Sequence, residues 1–276
     1  MAKERSSPPD EQVGAKGAVG TANLVEIFSS IQGEGPDVGA ATLFVRFGGC
    51  DLRCRWCDSA HTWQPADECR IETARSSGQW RTRPNPLPVD EIVAAAQSLD
   101  AKAHRFASLT GGEPLLQPAA VKAVAEALRR LGPMIHLETH GLASEALEGV
   151  VGSIDVVSMD WKLASDVRRA SDPPRGAAAD FHDAHERFLE ISKRAPRAVV
   201  KLVITPQSGD AEIEEAVARI ARVHRGATLV LQPVTPCGGT RQRPTGERML
   251  ALGERAGRQL ADVRVIPQTH PIYGVR

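Results

Sequence analysis

Seven short, β-rich apolar runs recur along the 276 residues, at 42–47, 106–109, 135–138, 156–159, 199–204, 229–232 and 263–266. Amphipathic stretches of helical period fall between them, at 88–102, 118–131, 181–194, 210–224 and 245–260. Parallel strands cannot be joined by a tight turn, so strand–helix alternation reads as βαβ units around a parallel sheet. The expected fold is α/β, a TIM-like βα barrel, whole or partial, with an open doubly wound sheet as the competing arrangement. The placement of chemistry-bearing residues favours the barrel. Cys50 follows the first run, Thr110 to Glu113 the second, Thr139 to Gly141 the third, Asp160 to Lys162 the fourth, Gln232 the sixth and Gln268 to His270 the last. Barrel enzymes assemble their sites from that rim, whereas open sheets bind at one switch point.

Residues 62–88 and 165–180 interrupt the alternation. Both are rich in Arg, Pro, Ser and Gly, and both are expected to be surface insertions. Residues 1–22 read as a disordered polar tail without the apolar stretch of a signal peptide, and residues 23–276 as one domain. Hydrophobic residues make up 42%, enough for a sizeable core, and 34 basic side chains balance 34 acidic ones. A neutral chain has no net field drawing it to nucleic acid or to a membrane surface, and no run approaches the ~20 apolar residues of a membrane span. The expected location is the cytoplasm. Thiols stay reduced there, so a tight cysteine group points to metal rather than to disulfides.

Cys50, Cys54 and Cys57 form such a group, spaced C-x3-C-x2-C behind Gly48-Gly49. Thiolates select iron–sulfur clusters, zinc or Cu(I). A structural zinc wants four ligands, and the other cysteines, Cys69 and Cys237, stand apart in the sequence. A non-catalytic, zinc-stabilised module is therefore the weaker reading. Three thiols on a [4Fe-4S] cluster leave one iron open.

This triplet after a first barrel strand, with Trp56 directly before its third cysteine, resembles the signature of the radical S-adenosylmethionine enzymes. Thr110-Gly111-Gly112-Glu113-Pro114, Glu138-Thr139-His140-Gly141 and Ser158-Met159-Asp160-Trp161-Lys162 are similar to further segments of that superfamily. The resemblance implies the partial (incomplete) TIM-like βα barrel of the radical SAM type, and that the open iron chelates S-adenosylmethionine, which the cluster cleaves to a 5′-deoxyadenosyl radical. It implies cofactor contacts from Trp56, Asp58, Gly112, Glu113, Thr139, Ser158, Asp160, Lys162 and Gln232. The carboxylate of Glu113 is expected to receive the methionyl ammonium.

The segment Val25 to Gly35, which contains Ile31-Gln32-Gly33-Glu34, and Arg46 in the first strand resemble the 7-carboxy-7-deazaguanine synthases. That likeness implies a pterin substrate bound by Ile31, Gln32, Gly33, Glu34, Arg46, Thr110 and His270. It also implies Mg²⁺ at Ser59, where the family commonly carries threonine; serine keeps the oxygen donor. The implied reaction removes hydrogen from C6 of 6-carboxy-5,6,7,8-tetrahydropterin, contracts the ring and expels ammonia. The product, 7-carboxy-7-deazaguanine, feeds queuosine-type 7-deazapurine synthesis. A flavodoxin- or ferredoxin-type reductant and a homodimer are implied as well. A rival radical enzyme, an activase of glycyl-radical enzymes, would need no pterin pocket. Leu163-Ala164-Ser165 departs from the family's PSS-like stretch, and the insertion that follows is longer than the resemblance leads one to expect.

Overall fold

The computed structural model describes residues 20–173 and 180–275. The expected N-terminal tail lies outside the described residues up to residue 19. Its last two residues are ordered as β1 (Thr21–Ala22), because Ala22 buries itself beside Leu87 in an antiparallel pairing with β7 (Leu87–Pro88).

Each of the seven expected runs is a strand of one ten-stranded sheet: β3 (Ala41–Phe47), β8 (Phe106–Gly111), β9 (Met134–Thr139), β10 (Val156–Asp160), β12 (Arg197–Ile204), β13 (Thr228–Pro233) and β14 (Asp262–Val265). These seven are parallel neighbours in the order β14-β13-β12-β10-β9-β8-β3. The sheet then continues through β2 (Leu24–Ile31), antiparallel to β3, and through the hairpin β5 (Glu68–Glu72) and β6 (Trp80–Pro84). Strands β14 and β6 are its two edges, so the barrel is incomplete, as expected.

Along each parallel strand the side chains alternate between two faces. The outer positions, such as Leu43, Val45, Ala107, Leu109, Ile135, Leu137, Val157, Met159, Val200, Leu202, Leu229 and Leu231, join one large core. Six helices cover it: α1 (Val89–Ser98), α2 (Pro118–Arg129), α3 (Ser144–Val150), α4 (His182–Ser192), α5 (Asp210–His224) and α6 (Gly246–Gly257). The inner positions Phe106, Val156, Val199 and Val230 form a second, smaller apolar cluster. Burial on both faces is why these strands read as near-continuous apolar runs.

Both expected insertions carry structure. Residues 62–88 include β5 and β6, which extend the sheet; Cys69, Ile71 and Leu87 are fully buried because they pack into the main core. In 165–180, β11 (Val167–Arg169) pairs antiparallel with β4 (Leu52–Cys54), and Val167 packs with Leu52 and Phe181. Residues 174–179 of that segment lie outside the described residues. Among the described residues no helix is long and apolar enough to cross a membrane.

Candidate active site

Above the apolar floor the inner face turns polar. Its inner positions carry Thr110, Glu138, Ser158, Asp160 and Lys201, with Ser108 buried beneath Thr110. Thr110, Glu138, Ser158, Asp160 and Lys201 line a cavity of about 690 Å³, closed on the other sides by β2, β3, the cysteine loop and the C-terminal segment. All the residues expected at the site border this cavity except Glu113 and Gln232.

The cysteine loop enters from β3 through Gly48-Gly49. Gly49 N donates to Thr62 O (2.8 Å) and Cys50 N to Trp63 O (3.1 Å). The β4–β11 pairing and the bond from Arg55 N to Asp166 O (2.9 Å) hold its far side. Arg53 braces the turn by donating to Cys50 O (2.9 Å). Cys50, Cys54 and Cys57 all face the cavity as free thiols. Burial pushes the Cys50 thiol up to about 11 and raises Cys54 as well. A thiolate there needs a metal's positive charge, which iron supplies, so the donor set fits a cluster. Cys69 is removed from them inside the core, and Cys237, distant in sequence, is folded against the loop, its thiol donating to Trp56 O (3.0 Å).

The turn after β8 is pressed against the loop. Glu113 N donates to Gly49 O (2.8 Å), and a Cβ on Gly112 would stand 2.1 Å from that same oxygen. Only glycine permits so close an approach. Glu113 itself is set back from the cavity. Its carboxylate is completely buried and accepts from Leu115 N (2.9 Å), His140 N (2.8 Å) and Thr139 Oγ1 (2.8 Å). Those bonds turn it away from the cavity, so it braces the turn and leaves the backbone of residues 110–112 to face a ligand. His140 extends this brace to the cysteine loop through Asp51 Oδ1 (2.8 Å).

Asp160 and Lys162 share a 2.6 Å bond, and the Lys162 ammonium lies 4.5 Å from the Trp56 ring centroid. Burial alone would raise Asp160, but Lys162 and Lys201 outweigh it and bring the carboxyl down to about 2. Both ends of the buried His185 are used: Nε2 accepts from Lys162 N (2.9 Å) and Nδ1 donates to Gly141 O (2.9 Å). Burial pushes this imidazole down to about 3, so it is neutral.

On the other side, Arg46 donates through Nε to Glu26 (2.9 Å) and lies over Phe28, leaving its remaining N–H edge to the cavity. Gln32 is fixed at both ends of its amide: Nε2 donates to Glu138 (2.9 Å), and Oε1 accepts from Glu34 N (3.0 Å). It shapes the loop and leaves Ile31, Gly33 and the Glu34 carboxylate to the cavity. Glu34 in turn accepts from Gln268 (2.5 Å), Gln232 (3.3 Å) and Lys201. Gln232 therefore reaches Glu34 from behind the wall. His270 packs so tightly on Gly33 that a Cβ there would be 2.6 Å from its Nδ1. Thr110 Oγ1 donates to Glu138 (3.1 Å), whose carboxylate Ser108 also holds (2.7 Å). Ser59 borders the cavity with its hydroxyl 4.0 Å from Cys57 Sγ.

Sequence reasoning missed Lys201. Its signal was present: one lysine inside the apolar run Ala198 to Ile204. Arg70, from the hairpin read as an insertion, also borders the cavity.

A model of the radical SAM superfamily matches residues 44–220. A 7-carboxy-7-deazaguanine synthase of Geobacter sulfurreducens is 38% identical over 257 residues, covering 92% of this chain and 97% of that protein. Another, from Thermococcus kodakarensis, is 35% identical over 225 residues, covering 77% and 84%. Among solved structures, QueE from Escherichia coli shares the fold with a TM-score of 0.53 at 19% identity, covering 88% of this chain and 92% of that one. With the cysteine triplet on the rim of an incomplete βα barrel, these matches show that the chain belongs to the 7-carboxy-7-deazaguanine synthase family of the radical SAM superfamily.

Proposed function

We propose that this chain converts 6-carboxy-5,6,7,8-tetrahydropterin to 7-carboxy-7-deazaguanine with loss of ammonia. The observation that carries the reading is one cavity bordered at once by the three thiols, the free edge of Arg46 and the Glu34 carboxylate. When bound, the cluster and S-adenosylmethionine supply a 5′-deoxyadenosyl radical.

Cys50, Cys54 and Cys57 would hold the cluster. The backbone of residues 110–112 offers carbonyl acceptors to the methionyl ammonium. Trp56, Asp58, Thr139, Ser158, Asp160 and Lys162 border the same side of the cavity, where hydroxyls and charges suit a ribose and a carboxylate. Arg46 can grip the pterin carboxylate with the N–H edge that Glu26 leaves free. Glu34 accepts from the amino-pyrimidinone edge, and His270 packs on Gly33 to hold that loop in place. The Ser59 hydroxyl would hold Mg²⁺ against the same carboxylate. Electrons would come from a flavodoxin- or ferredoxin-type protein in the cytoplasm, and the active form would be a homodimer.

The test is anaerobic turnover of the reconstituted enzyme with carboxytetrahydropterin, S-adenosylmethionine, Mg²⁺ and dithionite. The expected product is 7-carboxy-7-deazaguanine. Adenosylmethionine cleavage without that product would refute the substrate assignment and leave the superfamily intact.

A further inference from the structure

An unbroken chain of polar contacts rings the cavity. It leaves the cysteine loop at Trp56, whose ring faces Lys162, and passes to Asp160 (2.6 Å) and then to Lys201 (3.1 Å). Lys201 also binds Glu34, and Glu34 accepts from Gln268 (2.5 Å). Gln268 returns the chain to the cysteine loop at Asp58 (3.0 Å). Within the ring, Lys201 alone touches both Asp160, assigned above to the cofactor side, and Glu34, assigned to the pterin side.

The two contacts differ in rigidity. Asp160 and Lys201 are register partners on the parallel strands β10 and β12, so the sheet itself sets them side by side. Glu34 sits beyond the end of β2 on a loop, and its carboxylate is aimed only by the groups that donate to it. The Lys201 side chain is 13% exposed, so its ammonium is largely withdrawn from water. A carboxylate offers about four acceptor positions. Gln232 and Gln268 use Oε1 of Glu34 and Lys201 uses one position on Oε2, which leaves one position on Oε2 for a ligand.

We propose that Lys201 is a positioning residue that couples the two half-sites, its ammonium shared between Asp160 and Glu34 so that a ligand on either carboxylate orders the other. A ribose hydroxyl donating to Asp160 satisfies part of its charge and shifts the ammonium toward Glu34, which steadies the carboxylate that the pterin needs. By linkage, the pterin strengthens cofactor binding by the same factor. Without the lysine, Glu34, Glu138 and Asp160 would place three carboxylates on the wall of one cavity. The inference rests on the pterin assignment made above.

The experiment compares wild type, Lys201→Met and Lys201→Arg as cluster-loaded holoenzymes, kept oxidised so that adenosylmethionine stays intact. Dissociation constants for carboxytetrahydropterin are measured anaerobically by calorimetry, with and without S-adenosylmethionine. Iron content and thermal midpoint are recorded alongside. In wild type the cofactor tightens the pterin. In Lys201→Met pterin binding weakens about 30-fold or more, as for removal of one partner of a buried charge pair, and the tightening disappears. Lys201→Arg keeps the charge and retains most of both effects. Under turnover, KM for the pterin rises more in Lys201→Met than kcat falls. Wild-type affinity and coupling in Lys201→Met would overturn the inference. So would loss of iron and of cofactor binding in step with the pterin, since that pattern marks a merely structural lysine. If wild type itself neither binds nor converts the pterin, the substrate reading fails, and the coupling with it. That result is distinct from a wild type that turns over beside an equally competent Lys201→Met.

Discussion

Replacing Gly112 with alanine tests whether the turn after β8 and the cysteine loop are built against each other. The added Cβ would lie 2.1 Å from Gly49 O, 2.7 Å from Gly49 C and 2.9 Å from Thr62 O. All three are backbone atoms, so no rotamer change relieves the overlap. Comfortable contact between such atoms begins near 3.5 Å, so the loop must retreat by about 1 Å or more. Two bonds stand in the way: Glu113 N to Gly49 O and Gly49 N to Thr62 O, both 2.8 Å. Overpacking of this kind costs about 1–3 kcal/mol and a strained backbone bond about 1 kcal/mol more. The expected loss of stability is about 2–4 kcal/mol, measured by anaerobic urea unfolding. Cys50 follows Gly49 directly, so iron and labile sulfide per chain should fall too. Gly149→Ala is the control: it lies within α3, and an added Cβ meets nothing within 4 Å. It should be neutral or slightly stabilising. A Gly112→Ala protein with full stability and full iron content would refute the reasoning.

Two further outcomes follow from buried groups outside the chemistry. Burial holds His185 near 3, below its unfolded value of about 6.5. Its contribution is therefore complete above pH 6.5 and is lost as the pH falls toward 3. Between pH 7 and pH 5 the loss is about 2 kcal/mol from this residue, and His136, also lowered by burial, adds in the same direction. Urea titrations of wild type and His185→Gln across that window check it, and an equal acid loss in both would exclude His185 as a source. Cys69→Ala should keep its full iron content and cost about 1–2 kcal/mol, because the thiol fills space in the main core. Iron loss there would mean a fourth cysteine ligand.

The parallel strands were legible because burial on both faces leaves an apolar run in the chain. The antiparallel end was not. In β2, Glu26 and Phe28 face the cavity while Leu24 and Ile27 enter the core, and this mixture hides the strand. In β6 the exposed positions Arg81 and Arg83 answer the needs of a sheet edge in water, and composition alone reads them as loop. Helix α3, of seven residues, is too short to show a period. At the site, residue types were readable and directions were not. Glu113 was read as a carboxylate for a ligand's ammonium, and in the fold two backbone N–H groups and a hydroxyl claim it.

Lys201 shows what a finer reading of the strands would recover. A parallel strand in an incomplete barrel carries two interleaved tracks, and only the outer one is bound to stay apolar along its length. On β12 the outer track runs Val200, Leu202, Ile204, and the inner one Val199, Lys201, Val203. The same split gives Phe106, Ser108, Thr110 on β8 and Val156, Ser158, Asp160 on β10, apolar at the floor and polar above. A polar residue on an inner track has two fates. It finds a partner on the neighbouring strand, as Lys201 finds Asp160 in register, or it is left for a ligand. Water is scarce at that depth, and an unpaired charge there costs several kcal/mol. A cation and an anion at register positions on adjacent inner tracks therefore mark the cavity before any motif is matched, and a loop carboxylate, here Glu34, joins the pair at the cavity wall.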